Sequence, residues 1–274
     1  MVHVSDAKPN KGLGLHYSKT STWQADRWED LMGLFEEAVY DDFRPLKALD
    51  VGCGSGERTK QLINKFRSLE HVTGIDPHPS MISAANEKNT LWNLDFQLMG
   101  AADIGKLNEK DFSMVQSNYA LHWVEDKHAF MQGLNNITLP DAYLAVGTCQ
   151  DLPTIFYDID KEVKRALNIS LDKKMPFYYL DIADWSALLK EYGWHMTSVV
   201  VRNDLHLTES PAAFVKHWFA ASTEKTLYGH TMNDLKPVIF DAIVAMVEEK
   251  YGYENEDHLL FNEETTLFVA RREK

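Results

Sequence analysis

The chain has 274 residues, 45% of them hydrophobic and 11% aromatic, with a formal net charge of −13. That length and composition imply an ordered globule large enough for one doubly wound domain with an elaboration or a second small domain. The acidic balance, with no basic run, argues against a nucleic-acid partner, and no apolar run reaches the roughly 20 residues needed to span a bilayer.

Residues 1–14 are polar and lack the apolar core of a signal peptide, so a soluble cytoplasmic protein is expected. Cys53 and Cys149 fall in or beside predicted buried strands without metal or disulfide spacing, which fits a reducing compartment. His16, His195, His206, His217 and His230 form no spaced ligand set, and no metal site is expected.

Residues 1–13 read as a tail. From Tyr17 a segment rich in Tyr, Trp and Gln leads into 26–39, where Trp28, Leu31, Met32, Phe35 and Val39 recur at helical spacing. Pro45 ends that helix. Residues 46–56, LKALDVGCGSG, run from an apolar strand into alternate glycines, and 57–66 resumes helical spacing: strand, tight turn, helix. A strand over 71–76 ends in Asp76, and a helix starts at Pro79 or Ser80 and runs to 88. Strands follow over 94–98 and 112–117, then a helix over 127–136, a turn over 138–142 and an apolar strand over 142–149. Beyond Asp151 the pattern predicts helices over 156–167 and 182–192, a strand over 197–202, helices over 211–221 and 235–251, and a strand over 265–270. Repeated alternation of strand and helix predicts an α/β fold with a doubly wound parallel sheet, the loops after the strands lying along one edge. Helices between 207 and 261 have no place in a minimal sheet and read as a cap.

Gly52, Gly54 and Gly56 suit unusual φ values and close approach of a ligand to the backbone. Exposed N–H groups leading into a helix N-terminus suit an anionic or polar nucleotide-like ligand. Asp76, 22 positions after Gly54, can accept hydrogen bonds from both hydroxyls of a ribose. Its alternative is a helix N-cap, for which Ser80 is the better candidate. The glycines do not follow the Gly-x-Gly-x-x-Gly dinucleotide fingerprint, and Asp50 sits inside the strand end.

This pattern resembles the class I S-adenosylmethionine-dependent methyltransferases, whose motif is Asp/Glu-x-Gly-x-Gly-x-Gly, over roughly 46–149. The resemblance implies a Rossmann-like, doubly wound seven-stranded sheet, mostly parallel with the last strand antiparallel, and a helical cap. It implies a tail and lid helix (1–45), a cofactor-binding core (46–150) and a remainder (151–274) with the cap inserted at about 204–262. By resemblance, the main chain of Gly52, Cys53 and Gly54, in a loop closed by Gly56, lies against the methionine part. Asp50 holds the amino end, Asp76 grips the ribose, and Pro77, His78 and Met81 flank the adenine. Asp103 takes the adenine amino group with Ala102 and Ile104 beside the ring, Asn118 closes the amino acid pocket, and Tyr17 belongs to the cofactor side. For Asp103 a surface residue capping a turn is the alternative.

Leu121-His122-Trp123 after the fourth strand resembles the Leu-His-Trp of small-molecule carboxyl methyltransferases, including the juvenile hormone acid and the salicylate and jasmonate families, and the trans-aconitate and malonyl-carrier enzymes look similar in layout. In the Leu-His-Trp enzymes the Trp indole and an N-terminal Gln bind the substrate carboxylate, and Tyr17 and Gln24 have the spacing seen in the juvenile hormone acid enzymes. The implied reaction carries a methyl group from S-adenosyl-L-methionine to the carboxylate of a small organic acid, leaving S-adenosyl-L-homocysteine, on a monomer or homodimer. A carboxylate is ionised at neutral pH and needs no general base. Amine, hydroxyl or carbon acceptors would need one, with His122 the candidate; a non-catalytic cofactor-binding module is the third reading. Trp123 also reads as an aromatic core anchor and His122 as a packed histidine. Phe177-Tyr178-Tyr179 and Trp218-Phe219 line the substrate cavity or form the core of the cap.

Overall fold

The computed structural model describes residues 22–40, 42–208, 210–221, 237–252 and 259–273, and of 22–26, 204–208 and 217–221 the backbone alone. In chain order the elements are α1 (Thr22–Ala38), β1 (Lys47–Val51), α2 (Glu57–Lys65), β2 (His71–Asp76), α3 (Pro79–Glu87), β3 (Leu94–Leu98) and β4 (Phe112–Asn118). Then come α4 (Lys127–Ile137), β5 (Thr138–Cys149), α5 (Thr154–Ala166), α6 (Ile182–Glu191), β6 (Trp194–Thr208), α7 (Pro211–Ala221), α8 (Pro237–Tyr251) and β7 (Leu259–Arg272). Short 3-10 turns span Ala101–Lys106 and Leu121–Trp123.

The strands form one seven-stranded sheet in the order β3-β2-β1-β4-β5-β7-β6. The pairs from β3 to β5 are parallel, and β7 runs antiparallel to both β5 and β6. This is the expected mostly parallel sheet with its last strand reversed. Strand order changes direction between β1 and β4, so a crevice opens beyond their C-terminal ends.

Period-two alternation sorts the side chains onto two faces. Leu49, Val51 and Val115 point toward α4 and α6, where Phe130, Trp185 and Leu189 complete one buried cluster. Ala48 and Met114 point toward α1, α2 and α3, where Trp28, Phe35 and Leu62 complete the other. Asp50 and Gln116 are paired across β1 and β4, and each follows by two residues a member of this second set. Their side chains therefore share the face covered by α1 and α2.

The turn expected over 138–142 is drawn into β5. Thr138 pairs with Phe112, and the register shift between Phe112 and Met114 absorbs the irregularity. Asp141 takes a left-handed φ of +63°, and Arg272 Nη1 donates to Thr138 O at 2.6 Å.

β6 and β7 run longer than their apolar centres suggest. They pair from Trp194↔Arg272 to Thr208↔Leu259, whereas β5 keeps pace with β7 only as far as Cys149↔Thr265. Beyond that point the two strands form a ribbon leading to α7 and α8. Ile155 and Phe156 of α5 join Phe214, Ile243, Val247 and Phe261 in a separate core. Helix α5 thus packs with α7 and α8. It carries a buried Lys164–Asp160 ion pair of 2.6 Å. Among the described residues no helix is long and apolar enough to cross a membrane.

Candidate active site

β1 ends at Val51, and the chain turns through Gly52 (φ +78°), Gly54 (φ +54°) and Gly56 (φ +83°), conformations that favour glycine. Space demands glycine too: a Cβ on Gly52 would lie 2.1 Å from that of Ala120, and one on Gly56 2.4 Å from the Phe96 ring. The N–H groups of Gly52 and Cys53 donate to Ile75 O at 2.8 and 2.9 Å. Asp76 Oδ2 accepts from Gly54 N–H at 3.0 Å and Oδ1 from His78 N–H at 2.8 Å. Each oxygen keeps a lone pair for a further donor. Asp76 is therefore the clamp of the glycine loop rather than a helix cap. Ser80 does not cap either: it lies inside α3, whose N-cap position is His78, and its hydroxyl meets His78 Nδ1 at 2.8 Å.

Behind the loop Asp50 is buried, with Oδ2 accepting from Thr59 Oγ1 at 2.6 Å. Burial pushes the Asp50 carboxyl up to about 6, opposed by Thr59 and Gln116 and assisted by the charge of Asp76. Burial likewise pushes Asp76 up to about 6, opposed by the His78 and Gly54 N–H groups.

At the end of β4, Tyr119 takes a left-handed φ of +56° and donates its N–H to Gly147 O at 2.8 Å. Its hydroxyl donates to Glu263 Oε2 at 2.9 Å and meets Thr265 Oγ1 at 2.9 Å. Asn118 fits because Gly147 has no side chain; a Cβ there would lie 2.5 Å from Asn118 Oδ1. The chain then coils through Leu121–Trp123. Ala120 rests against Gly52, so the glycine loop and this turn touch.

His122 is buried, 3.8 Å from Cys149 Sγ, and burial together with nearby Lys127 pushes its pKa down to about 3. Burial thus favours the neutral imidazole. Trp123 is half-buried, with Phe177 across it at a ring separation of 4.2 Å, while Tyr179 stacks on His122 at 5.8 Å. Tyr178 N–H donates to His122 O at 2.8 Å, and Lys127 Nζ donates to Val124 O at 2.8 Å and to Tyr178 O. Residues 177–179 are thus strapped over the turn, with Phe177 and Tyr179 also touching the cap core. Among the described residues no acceptor meets the Trp123 indole N–H.

A methyltransferase-domain family model matches residues 43–193, more than half of the chain. The chain belongs to this methyltransferase family. Its likeness to the class I S-adenosylmethionine-dependent enzymes, read from the glycine loop, holds. An uncharacterised methyltransferase of Schizosaccharomyces pombe is 28% identical over 162 residues, covering 55% of this chain and 60% of the relative. A trans-aconitate 2-methyltransferase of Deinococcus radiodurans is 31% identical over 136 residues, 46% of this chain and 48% of the relative. The chain thus spans about half the length of these relatives. The crystal structure of the YcgJ protein of Bacillus subtilis shares the fold, with a TM-score of 0.58 at 11% identity, covering 90% of this chain and 99% of that one.

Within this methyltransferase domain, Pro77, Leu98, Met99, Gly100, Asp103 and Lys106 line a recess of about 310 Å³ next to Asp76, at the lower end of the usual range for small-molecule sites. Two of the residues expected beside an adenine ring, Pro77 and Asp103, thus line one recess. Asp103 also pairs with Lys106 at 2.5 Å. Ile104 is buried among the sheet-face residues, its Cγ1 2.7 Å from where a Cβ on Gly133 would be, so its side chain turns away from the recess. Met81 is buried in α3, and Ala102 is exposed. Tyr17 lies outside the described residues; Gln24 lies on α1, one turn before Trp28, with its backbone alone described. The side chains of Trp218 and Phe219 are likewise outside the description. Among the described residues no three His, Cys, Asp or Glu side chains gather as a metal site.

Thr59, Gln116 and the Lys127 strap were not anticipated. Gln116 had a signal, a long polar side chain inside an otherwise apolar strand, and buried Trp28 had another, since an indole N–H taken from water needs an acceptor. Because the Asp103–Lys106 pair is exposed, Lys106→Ala is expected to change the unfolding free energy by less than about 1 kcal/mol. Chemical denaturation checks this, and a loss above about 2 kcal/mol would contradict a solvent-screened pair.

Proposed function

We propose that this chain methylates a carboxylate oxygen of a small organic acid, with S-adenosyl-L-methionine as donor. The observation that carries the reading is the turn Leu121–Trp123: an indole N–H with no protein acceptor among the described residues, beside a histidine that burial keeps neutral. Such a turn can hold an anion that is already nucleophilic, and it lacks the base that an amine or hydroxyl acceptor requires.

The loop fits the donor. Its left-handed glycines bring bare main chain to the crevice, Asp76 has lone pairs for ribose hydroxyls, and Asp50 offers a carboxylate to an amino group. When bound, the donor supplies a methyl group on a sulfonium; a C–O bond forms as the C–S bond breaks, its electron pair leaving on sulfur. No proton has to move. What the chain contributes is alignment of one carboxylate oxygen and exclusion of water by the strap of Phe177 and Tyr179, and orientation of this kind supplies on the order of 7 to 11 kcal/mol. The trans-aconitate relative, by its name, acts on a small acid, which supports the reading.

Incubation with methyl-labelled donor and a panel of free acids should give base-labile methyl esters; base-stable label would overturn the carboxylate assignment while sparing methyl transfer. Trp123→Phe is expected to raise the acid KM about tenfold, the scale of one hydrogen bond to a charged group, leaving donor affinity unchanged. His122→Gln should keep kcat within about threefold, against the 10²–10⁴-fold loss that follows removal of a general base.

A further inference from the structure

Gln116 is fully buried in β4, between Asp50 of β1 and Ala145 of β5 in the sheet register. Trp28 of α1, also buried, donates its indole N–H to Gln116 Oε1 at 2.9 Å. An indole can only donate, so this bond decides which end of the amide is which: oxygen toward Trp28, nitrogen away from it. Among the described residues the amide nitrogen then meets no acceptor in good hydrogen-bond geometry. An unsatisfied buried donor calls for an explanation. Beside it is Asp50, which carries the Thr59 bond on Oδ2 and on which Gln116 acts in the sense that favours the ionised carboxylate.

We propose that Gln116 is a positioning residue for the cofactor site: held from behind by Trp28, it offers its amide N–H to the Asp50 carboxylate and so ties the seating of α1 to the state of the glycine loop. This rests on the reading above, in which Asp50 faces the amino group of the donor. Gln24 lies one helical turn before Trp28 on α1. The same helix that would bring a donor to the acid is thus pinned, through Trp28 and Gln116, to the carboxylate on the cofactor side. The other groups acting on Asp50 are Thr59 from α2 and the charge of Asp76 from β2. On the loop, the Cys53 thiol is held protonated by burial and by both carboxylates. From α2 the Arg58 guanidinium lies 5.8 Å from the Trp28 ring.

The test measures binding of S-adenosyl-L-homocysteine by calorimetry from pH 5 to pH 8 for the wild-type chain, Gln116→Met and Trp28→Phe. Each variant is expected to bind about tenfold more weakly at pH 7, and the pH at which half the affinity is lost should move up by about half a unit or more. A packing role alone would lower the denaturation midpoint and leave that pH in place. If one variant does not fold, the other decides. Variants with the wild-type pH midpoint overturn the inference alone, whereas a wild-type chain that binds no S-adenosyl-L-homocysteine overturns the cofactor reading and this inference with it.

Discussion

Gly52→Ala is expected to destabilise the chain by about 3 kcal/mol and to remove measurable binding of S-adenosyl-L-homocysteine. Two costs add: about 1–2 kcal/mol for a left-handed conformation with a Cβ, and about 1–3 kcal/mol for overpacking a site that cannot expand. The site cannot expand because the new Cβ would lie 2.1 Å from that of Ala120, with the Ala120 Cα at 3.6 Å behind it. Relief requires moving the loop, and the loop is bonded through Gly52, Cys53 and Gly54 to the end of β2. Gly33 is the control. It sits inside α1 with nothing within 4 Å of its Cβ position, so Gly33→Ala should be neutral or stabilising by up to about 1 kcal/mol. Equal denaturation midpoints and equal affinities for the two variants would refute the steric account.

Between pH 7 and pH 5 the affinity for S-adenosyl-L-homocysteine is expected to fall about a hundredfold. Asp50 and Asp76 are both pushed up to about 6, chiefly by burial, and in the proposed reading they meet the ammonium and the ribose hydroxyls of the cofactor as carboxylates. Each proton that must leave weakens binding about tenfold per pH unit below that value, and the two interacting groups titrate as a pair. The free protein runs the other way. Its folded-state values lie above the ordinary carboxylate value, so the folded chain binds more protons than the unfolded one. The stability these two groups lend is complete below about pH 4 and is lost as pH rises through about 6. Asp76→Asn should leave the slope of a single proton, about tenfold over the same interval. Calorimetry in buffers of different ionisation enthalpy counts the protons released; none released near pH 6 would refute the assignment.

Much of this was legible in the sequence because local chemistry decides it. The glycine loop and the strand ending in Asp76 are specified by residues within a few positions of one another, and β2 spans the expected 71–76. Errors arose where a distant partner decides. Thr138 to Ala142 carries turn residues, yet pairing with Phe112 and the Arg272 contact make it strand. The outer halves of β6 and β7 are polar and gain their order from each other across the ladder, from Asn203↔Glu264 outward. Ser80 has the chemistry of a cap, but Pro79 had already opened the helix. At the site, His122 reads from the sequence as either pocket-facing or packed, and its burial, which lowers the imidazole pKa to about 3, comes from elements far along the chain. Gln116 and Trp28 stand 88 positions apart, and nothing local links them.

The ribbon of β6 and β7 has a consequence for how such a chain can change. Thr208 and Leu259 face each other across an antiparallel ladder, where opposed Cα atoms are only about 5 Å apart. Whatever lies between them departs from and returns to nearly one point. It can be lengthened, shortened or exchanged without stretching the sheet beneath, provided the apolar face toward α5 is kept. Selection can therefore rewrite that segment like an interchangeable cassette, while the glycine loop stays fixed. Grafting a different insert between these two positions, or closing them with a short hairpin turn, is the corresponding engineering route.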